Sequence, residues 1–266
     1  HNANAWFGTG KFKQGSNILE DPKANFTQLN YKALANLHVH WGTPTAGVPD
    51  AKLDAQKGDP NAAVYEIAEV ISPTKLRIKP AAKADGSANY SIGRRCYGKF
   101  SVSNCDFFLL DTRSHRNLHN VDHPDNPKAT MLGKQQLAWL KNGIKNSKAD
   151  FIFVVSSVNF MVPHVGSGGG NDKQATIKKD DAWTVFLKER EELIEFWDGL
   201  DKGVFVLTGD LHNSFAIKIT DNVYEFASGP HNSINHAPMK DEGGRPSNGR
   251  FKYGPRDCDI RWSTYA

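Results

Sequence analysis

The order of patterned segments between residues 105 and 207 constrains this chain most. Residues 105–111 (CDFFLLD) form a continuous apolar run, and 132–144 repeat Leu137, Leu140 and Ile144 at helical spacing. Residues 151–157 (FIFVVSS) are again apolar and β-branched, 181–200 put Trp183, Phe186, Leu187, Ile194 and Trp197 on one helical face, and 203–207 are a third apolar run. Strand, helix, strand, helix, strand in that order predicts parallel neighbours joined by crossover helices. Ligands of such a sheet bind beyond the carboxyl ends of its strands. Those ends carry Asp111 with Arg113, residues 156–159, and Asp210 with His212, so all three are expected on one rim.

Within GVFVLTGDLHNSF (203–215), a carboxylate and an imidazole two residues apart just past a strand can face one centre, as metal ligands do. The competing reading makes Asp210 a turn cap and His212 a loop histidine. Arg113 can offer a bidentate fork to phosphate oxygens or pair with Asp111. Bulk properties narrow the partners: a net charge of +4 and pI near 8.8 fit an anionic substrate, without the Lys/Arg stripe that nucleic acid requires. The longest apolar stretch, 151–162, is broken by Ser and Asn, which predicts no membrane span. Cys96, Cys105 and Cys258 show no zinc-knuckle spacing, and there is no GxSxG elbow for a serine hydrolase.

Elsewhere the text is less regular. Residues 1–15 read as a loop, 28–41 as a helix ended by Gly42 and Pro44, and 43–60 as a long loop. The β-rich runs 64–71, 75–79 and 91–100 predict a meander that forms or extends a sheet edge. VGSGGGN (165–171) reads as a flexible loop, a surface excursion in preference to a lid. Residues 224–227 predict a strand, and in SGPHNSINH (228–236) His231 and Asn232 are candidates for substrate contact, or solvent-facing loop residues. The end, 257–266, reads as the start of a strand. A chain opening on His1 rather than Met is expected to be processed or part of something longer.

Four stretches, FFLLDTRSHR (107–116), MLGKQQLAWLKNGI (131–144), VFVLTGDLHNSF (204–215) and YEFASGPHNSINH (224–236), together resemble the PhoD-like alkaline phosphatase and phosphodiesterase family, a branch of the metallophosphoesterases. The resemblance covers most of the chain from about residue 100. It implies an α/β fold, the metallophosphoesterase-like αββα sandwich of two mixed sheets flanked by helices, incomplete at both ends. Residues 1–266 would be one catalytic domain whose N-terminal portion is absent. The implied activity is hydrolysis of phosphoric monoesters or diesters, small molecules or phospholipid-type substrates, by metal-activated water. The implied cofactor is a two-metal centre of Fe(III) and Ca(II), with Zn, Mn or Mg as alternatives, and the implied location is secreted or periplasmic.

Residue by residue, the resemblance makes Asp210 a ligand of the more exposed metal and His212 of the more buried one, with Arg113 on phosphate oxygens. His1, with Asn2, Asn4 and Trp6 behind it, is similar to the residues just beyond the family's Asp-Asp pair; it would contact the phosphoryl group or protonate the leaving group. Asn159, with Ser156 and Ser157, ends the middle strand where related enzymes often carry a histidine ligand; an oxygen-rich, calcium-like site and a substrate contact at Asn159 are expected there. The family's earlier Gly-Asp motif and Asp pair would precede His1, so an upstream segment or another chain is expected to complete the centre. The competing function is a non-catalytic extracellular scaffold that keeps the fold.

Overall fold

The computed structural model describes residues 4–40, 59–165 and 180–265. These form two compact units, one of His1–Cys96 with Arg113–Leu118 and the other of Tyr97–Thr112 with His119–Ala266.

The first unit is a closed six-stranded barrel. Its strands are β1 (Asn4–Phe12), β2 (Ile18–Glu20), β3 (Leu34–His40), β4 (Ala63–Ser72), β5 (Lys75–Lys79) and β6 (Gly86–Arg94). They close in the order β1-β2-β5-β4-β3-β6, every pair antiparallel. Leu19, Phe26, Leu37, Tyr65, Leu76, Ile78, Tyr90 and Ile92 fill the interior with no exposed surface. Gly8 allows the closest approach: a Cβ there would lie 2.3 Å from Asp21 Oδ2 and 2.8 Å from the Tyr90 hydroxyl. That space is used by the Tyr90 hydroxyl, which donates to Asp21 Oδ2 at 2.8 Å inside the barrel.

The second unit is built on one eight-stranded sheet. It adds β7 (Gly98–Val102), β8 (Cys105–Leu109), β9 (Phe151–Val155), β10 (Gly203–Thr208), β11 (Phe215–Lys218), β12 (Val223–Ala227), β13 (Gly249–Tyr253) and β14 (Arg256–Ser263). The order is β13-β14-β11-β12-β10-β9-β8-β7. The central β8, β9, β10 and β12 run parallel, and the outer pairings are antiparallel. Helix α1 (Gly133–Lys145) crosses from β8 to β9 and α2 (Leu187–Asp198) from β9 to β10, while α3 (Pro238–Asp241) is a single turn. Leu140 and Ile144 of α1 and Leu193, Ile194 and Trp197 of α2 pack with Phe108, Ile152, Val154, Val204 and Val206 in one core. This alternation from β8 to β10 agrees with the sequence pattern.

Several expectations are corrected. The chain is not a helix-flanked αββα sandwich: about 37% of the described residues are strand and 17% helix, with a closed barrel and a second sheet. Within the loop expected at 1–15, Asn4–Phe12 is a strand, since β1 pairs there with β6. The helix expected at 28–41 is a short 3-10 turn (Tyr31–Ala33) followed by β3, because Leu37 and Val39 alternate inward between β4 and β6. The 64–79 runs belong to the barrel, and 91–100 is split: β6 ends at Arg94 and β7 starts in the other sheet. The second helix begins at Leu187, after a 3-10 turn at Trp183–Val185, instead of at residue 181. Strand pairing with distant partners outweighs local helix propensity in these cases. His1, residues 41–58 and the glycine-rich stretch after Val165 lie outside the described residues.

Candidate functional site

β10 ends at Thr208, and the next turn is unusual: Asp210 takes a left-handed backbone conformation with φ 73°. Asp tolerates that region better than most residues. Leu211 is fully buried and anchors the turn. Asp210 and His212 flank it, the Asp210 side chain 30% exposed.

A second arm arrives from the segment after β9. Glu225, fully buried on β12, accepts hydrogen bonds from the Phe160 and Met161 N–H groups, each at 2.8 Å, and from the Thr208 hydroxyl at 2.8 Å. One carboxylate therefore ties the chain leading to His164 to the end of the strand leading to Asp210. His164 Nδ1 lies 3.5 Å from Asp210 Oδ2, and its Nε2 is buried without a hydrogen-bond partner among the described residues. Burial pushes the Glu225 carboxyl above its ordinary range, against the pull of those three donors.

The third arm is the segment after β12. The Ile234 carbonyl lies 2.6 Å from His212 Nδ1. A carbonyl only accepts, so Nδ1 carries the proton and the Nε2 lone pair of His212 is left available. The His236 ring stacks on His212 with centroids 4.1 Å apart and lies 5.0 Å from the His164 ring. The His212 backbone N–H points to His236 Nδ1 at 3.3 Å. Beneath His236, Glu242 Oε1 is 3.4 Å from Nδ1 and accepts from Asn213 Nδ2 at 2.9 Å. Glu242 Oε2 meets Arg245 Nε at 2.5 Å, both side chains fully buried. Arg245 also donates to the Pro246 carbonyl and Ser263 Oγ, each at 3.1 Å, and covers the Phe215 ring. Burial, and then the neighbouring imidazoles of His212 and His164, lower the His236 pKa from the ordinary imidazole value; Glu242 and Asp241 act in the opposite sense.

The structure thus brings Asp210 and His212 together with two histidines outside the candidates that the sequence marks. His164 lies five residues beyond Asn159, where the sequence predicts the middle strand to end without a histidine; the Pro163-His164 pair is the available signal. His236 belongs to SGPHNSINH, but the sequence points to His231 and Asn232 there, and both are solvent-exposed. Asn159 is fully buried: its carbonyl accepts from the Trp183 N–H at 3.3 Å, and its amide has no partner among the described residues. The ends of β8 and β9 do meet, through Thr112 Oγ1 and Ser157 Oγ at 2.5 Å. Arg113 falls in the barrel unit, and His1 outside the described residues.

The available lone pair on His212, fixed by a carbonyl behind the ring, and the Asp210 carboxylate fit part of a metal-ligand set. Among the described residues, however, no group of three or more His, Cys, Asp or Glu side chains is arranged to hold an ion. The two therefore supply part of a centre.

Alkaline phosphatase D of Bacillus subtilis (strain 168) is 32% identical over 130 residues, which are 45% of this chain and 21% of that protein. The chain thus spans about a fifth of the length of this curated relative. A solved structure described as "Structure of PhoD" shares 27% identity, over 51% of this chain and 29% of that one, with a TM-score of 0.42. The family model for PhoD-like phosphatases matches residues 78–252, from the last barrel strands through the Asp210 and His236 segments to β13, which is more than half of the sequence, and the chain belongs to that family.

Proposed function

We propose that the chain carries part of the active centre of a phosphoric ester hydrolase that requires metal. The supporting observation is the gathering of Asp210, His164, His212 and His236 at the exit of β10. Asp210 and His212 would hold metal together with ligands from outside the described residues. Bound there, metal would neutralise phosphate charge and lower the pKa of water.

The chain's own residues do the positioning. Ile234 keeps the Nδ1 proton on His212 so that Nε2 stays a donor of electrons. Glu242 and Arg245 keep His236 stacked on His212, and burial favours its neutral form. His231 and Asn232, on an exposed turn of the same segment, would meet incoming substrate. His1, Arg113 and Asn159 enter this reading through the family resemblance, as phosphate-side contacts. The same resemblance supports a phosphate-ester substrate and an exported protein.

The test pairs metal analysis by mass spectrometry with hydrolysis of p-nitrophenyl phosphate and of its bis ester, on protein carrying its natural flanking sequence. Asp210→Asn and His212→Gln should each lower kcat/KM at least about 100-fold and reduce bound metal. Folded wild-type protein with neither metal nor hydrolysis would overturn the proposal and leave the scaffold reading standing.

A further inference from the structure

The two stacked imidazoles beyond β10 are held in opposite tautomers. His212 Nδ1 lies 2.6 Å from the Ile234 carbonyl and 3.1 Å from Ser233 Oγ. The carbonyl only accepts, so the His212 proton is on Nδ1 and its lone pair on Nε2. For His236 the direction is reversed. The His212 backbone N–H points at His236 Nδ1 at 3.3 Å, and a backbone N–H only donates. His236 Nδ1 is therefore the acceptor, and a neutral imidazole with an accepting Nδ1 carries its proton on Nε2.

Glu242 does not reverse this assignment. Its Oε1 is 3.4 Å from His236 Nδ1, but that oxygen already accepts from Asn213 Nδ2 at 2.9 Å, and Oε2 accepts from Arg245 Nε at 2.5 Å. The carboxylate is thus satisfied without a proton from His236. Asn213 Nδ2 also donates to the His236 carbonyl at 3.1 Å, which fixes the residue from the same buried side. Nε2 lies on the edge of the ring away from these groups. It has no hydrogen-bond partner among the described residues, and the side chain keeps 13% of its surface exposed while Glu242 keeps none. His164 Nε2, by contrast, is sealed. An oriented N–H that lacks an acceptor and reaches solvent is open to a ligand oxygen.

The position of the ring supplies the ligand. His236 is 4.1 Å from the His212 ring and 5.0 Å from that of His164, whose Nδ1 is 3.5 Å from Asp210 Oδ2. The stacked pair therefore presents a lone pair on one ring, suited to a cation, and an N–H on the next, suited to an anionic oxygen. We propose that His236 is a further substrate-contacting residue, whose Nε2–H donates to a non-bridging oxygen of the phosphate group held beside Asp210 and His212. This rests on the reading of the site as part of a phosphoric ester hydrolase, and it adds a donor from outside the Asp210-Leu211-His212 turn. A donor already fixed by its surroundings needs no rearrangement as charge builds on the phosphoryl oxygens.

The experiment uses two substitutions that separate donation from packing. His236→Gln keeps a side-chain N–H and gives up the aromatic stack; His236→Phe keeps the stack and gives up the N–H. Binding of inorganic phosphate is measured by isothermal titration calorimetry on metal-loaded protein carrying its natural flanking sequence, together with bound metal and with kcat and KM for p-nitrophenyl phosphate. His236→Phe should weaken phosphate binding about 10- to 100-fold, the range for a lost hydrogen bond to a charged group, and keep its metal. His236→Gln should recover most of that loss, and kcat/KM should follow the same order. Packing alone predicts the reverse, with the Phe variant near wild type and the Gln variant impaired, and that order would overturn the proposal. Equal losses in both variants, or a wild type that binds no phosphate, would also overturn it. A wild type that binds phosphate with the expected order but cleaves no ester would support this contact and remove the proposed hydrolysis. A wild type that cleaves esters while its phosphate affinity ignores both substitutions would do the converse.

Discussion

Glu242 places a negative charge where water cannot reach it, and the site around His236 depends on how that charge is answered. Its partner Arg245 is equally buried, and the pair sits directly under the stacked rings of His236 and His212. Breaking a buried ion pair from one side costs more than the pair is worth, because the remaining charge stays desolvated. Arg245→Met is therefore expected to lower stability by about 3–5 kcal/mol in urea unfolding, with Glu242→Gln/Arg245→Met recovering part of the loss. Equal losses in the single and double variants would show that the charge is not the cause. At this scale the sequence made legible only the position of Asp210 and His212, on one turn beyond one strand. His164, His236, Glu242 and Arg245 come from separate segments, and no local spacing connects them.

Helix α1 shows how one element is completed by another. Its N-cap residue, Leu132, offers no side chain to the first turn, and its backbone N–H is instead received by Glu189 of α2 at 3.0 Å. Thr130 Oγ1 accepts from Gly133 N–H at 2.8 Å. Burial raises the Glu189 pKa to about 7, despite the hydrogen bonds from Thr130, Leu132 and Met131 that favour the anion. An acid whose folded pKa is raised binds its proton more tightly when folded, so its contribution to stability is complete below its unfolded pKa. It is lost as pH rises through about 7. The protein should therefore lose on the order of 3 kcal/mol of this contribution between about pH 4.5 and pH 8, and Glu189→Gln should flatten that part of the profile. Chemical denaturation at a series of pH values reads this directly; parallel profiles would refute it. The two crossover helices were legible from their apolar spacing, apart from the start of α2, where residues 181–186 do not join the helix. The cap was not legible, because its acceptor belongs to another helix.

For the molecule as a whole, the balance of strand and helix separates the fold found from the fold expected. A far-UV circular dichroism spectrum should show more strand than helix, as the described residues do at 37% and 17%; a helix-flanked α/β sandwich would give a helix-rich spectrum instead. The sequence by itself determined the parallel centre of the second unit, because long apolar runs alternating with amphipathic helices can bury their apolar surface in few other ways. It also determined, through motif order, the family. Only the tertiary structure decided the barrel, where β1 and β3 are ordered by pairing with β6 and Gly8 is selected by its clearance from Asp21. It alone decided which histidines of the described residues gather near Asp210. Periodicity reports the surface a segment must bury, whereas ring closure, imidazole stacking and buried ion pairs depend on contacts between residues distant in sequence.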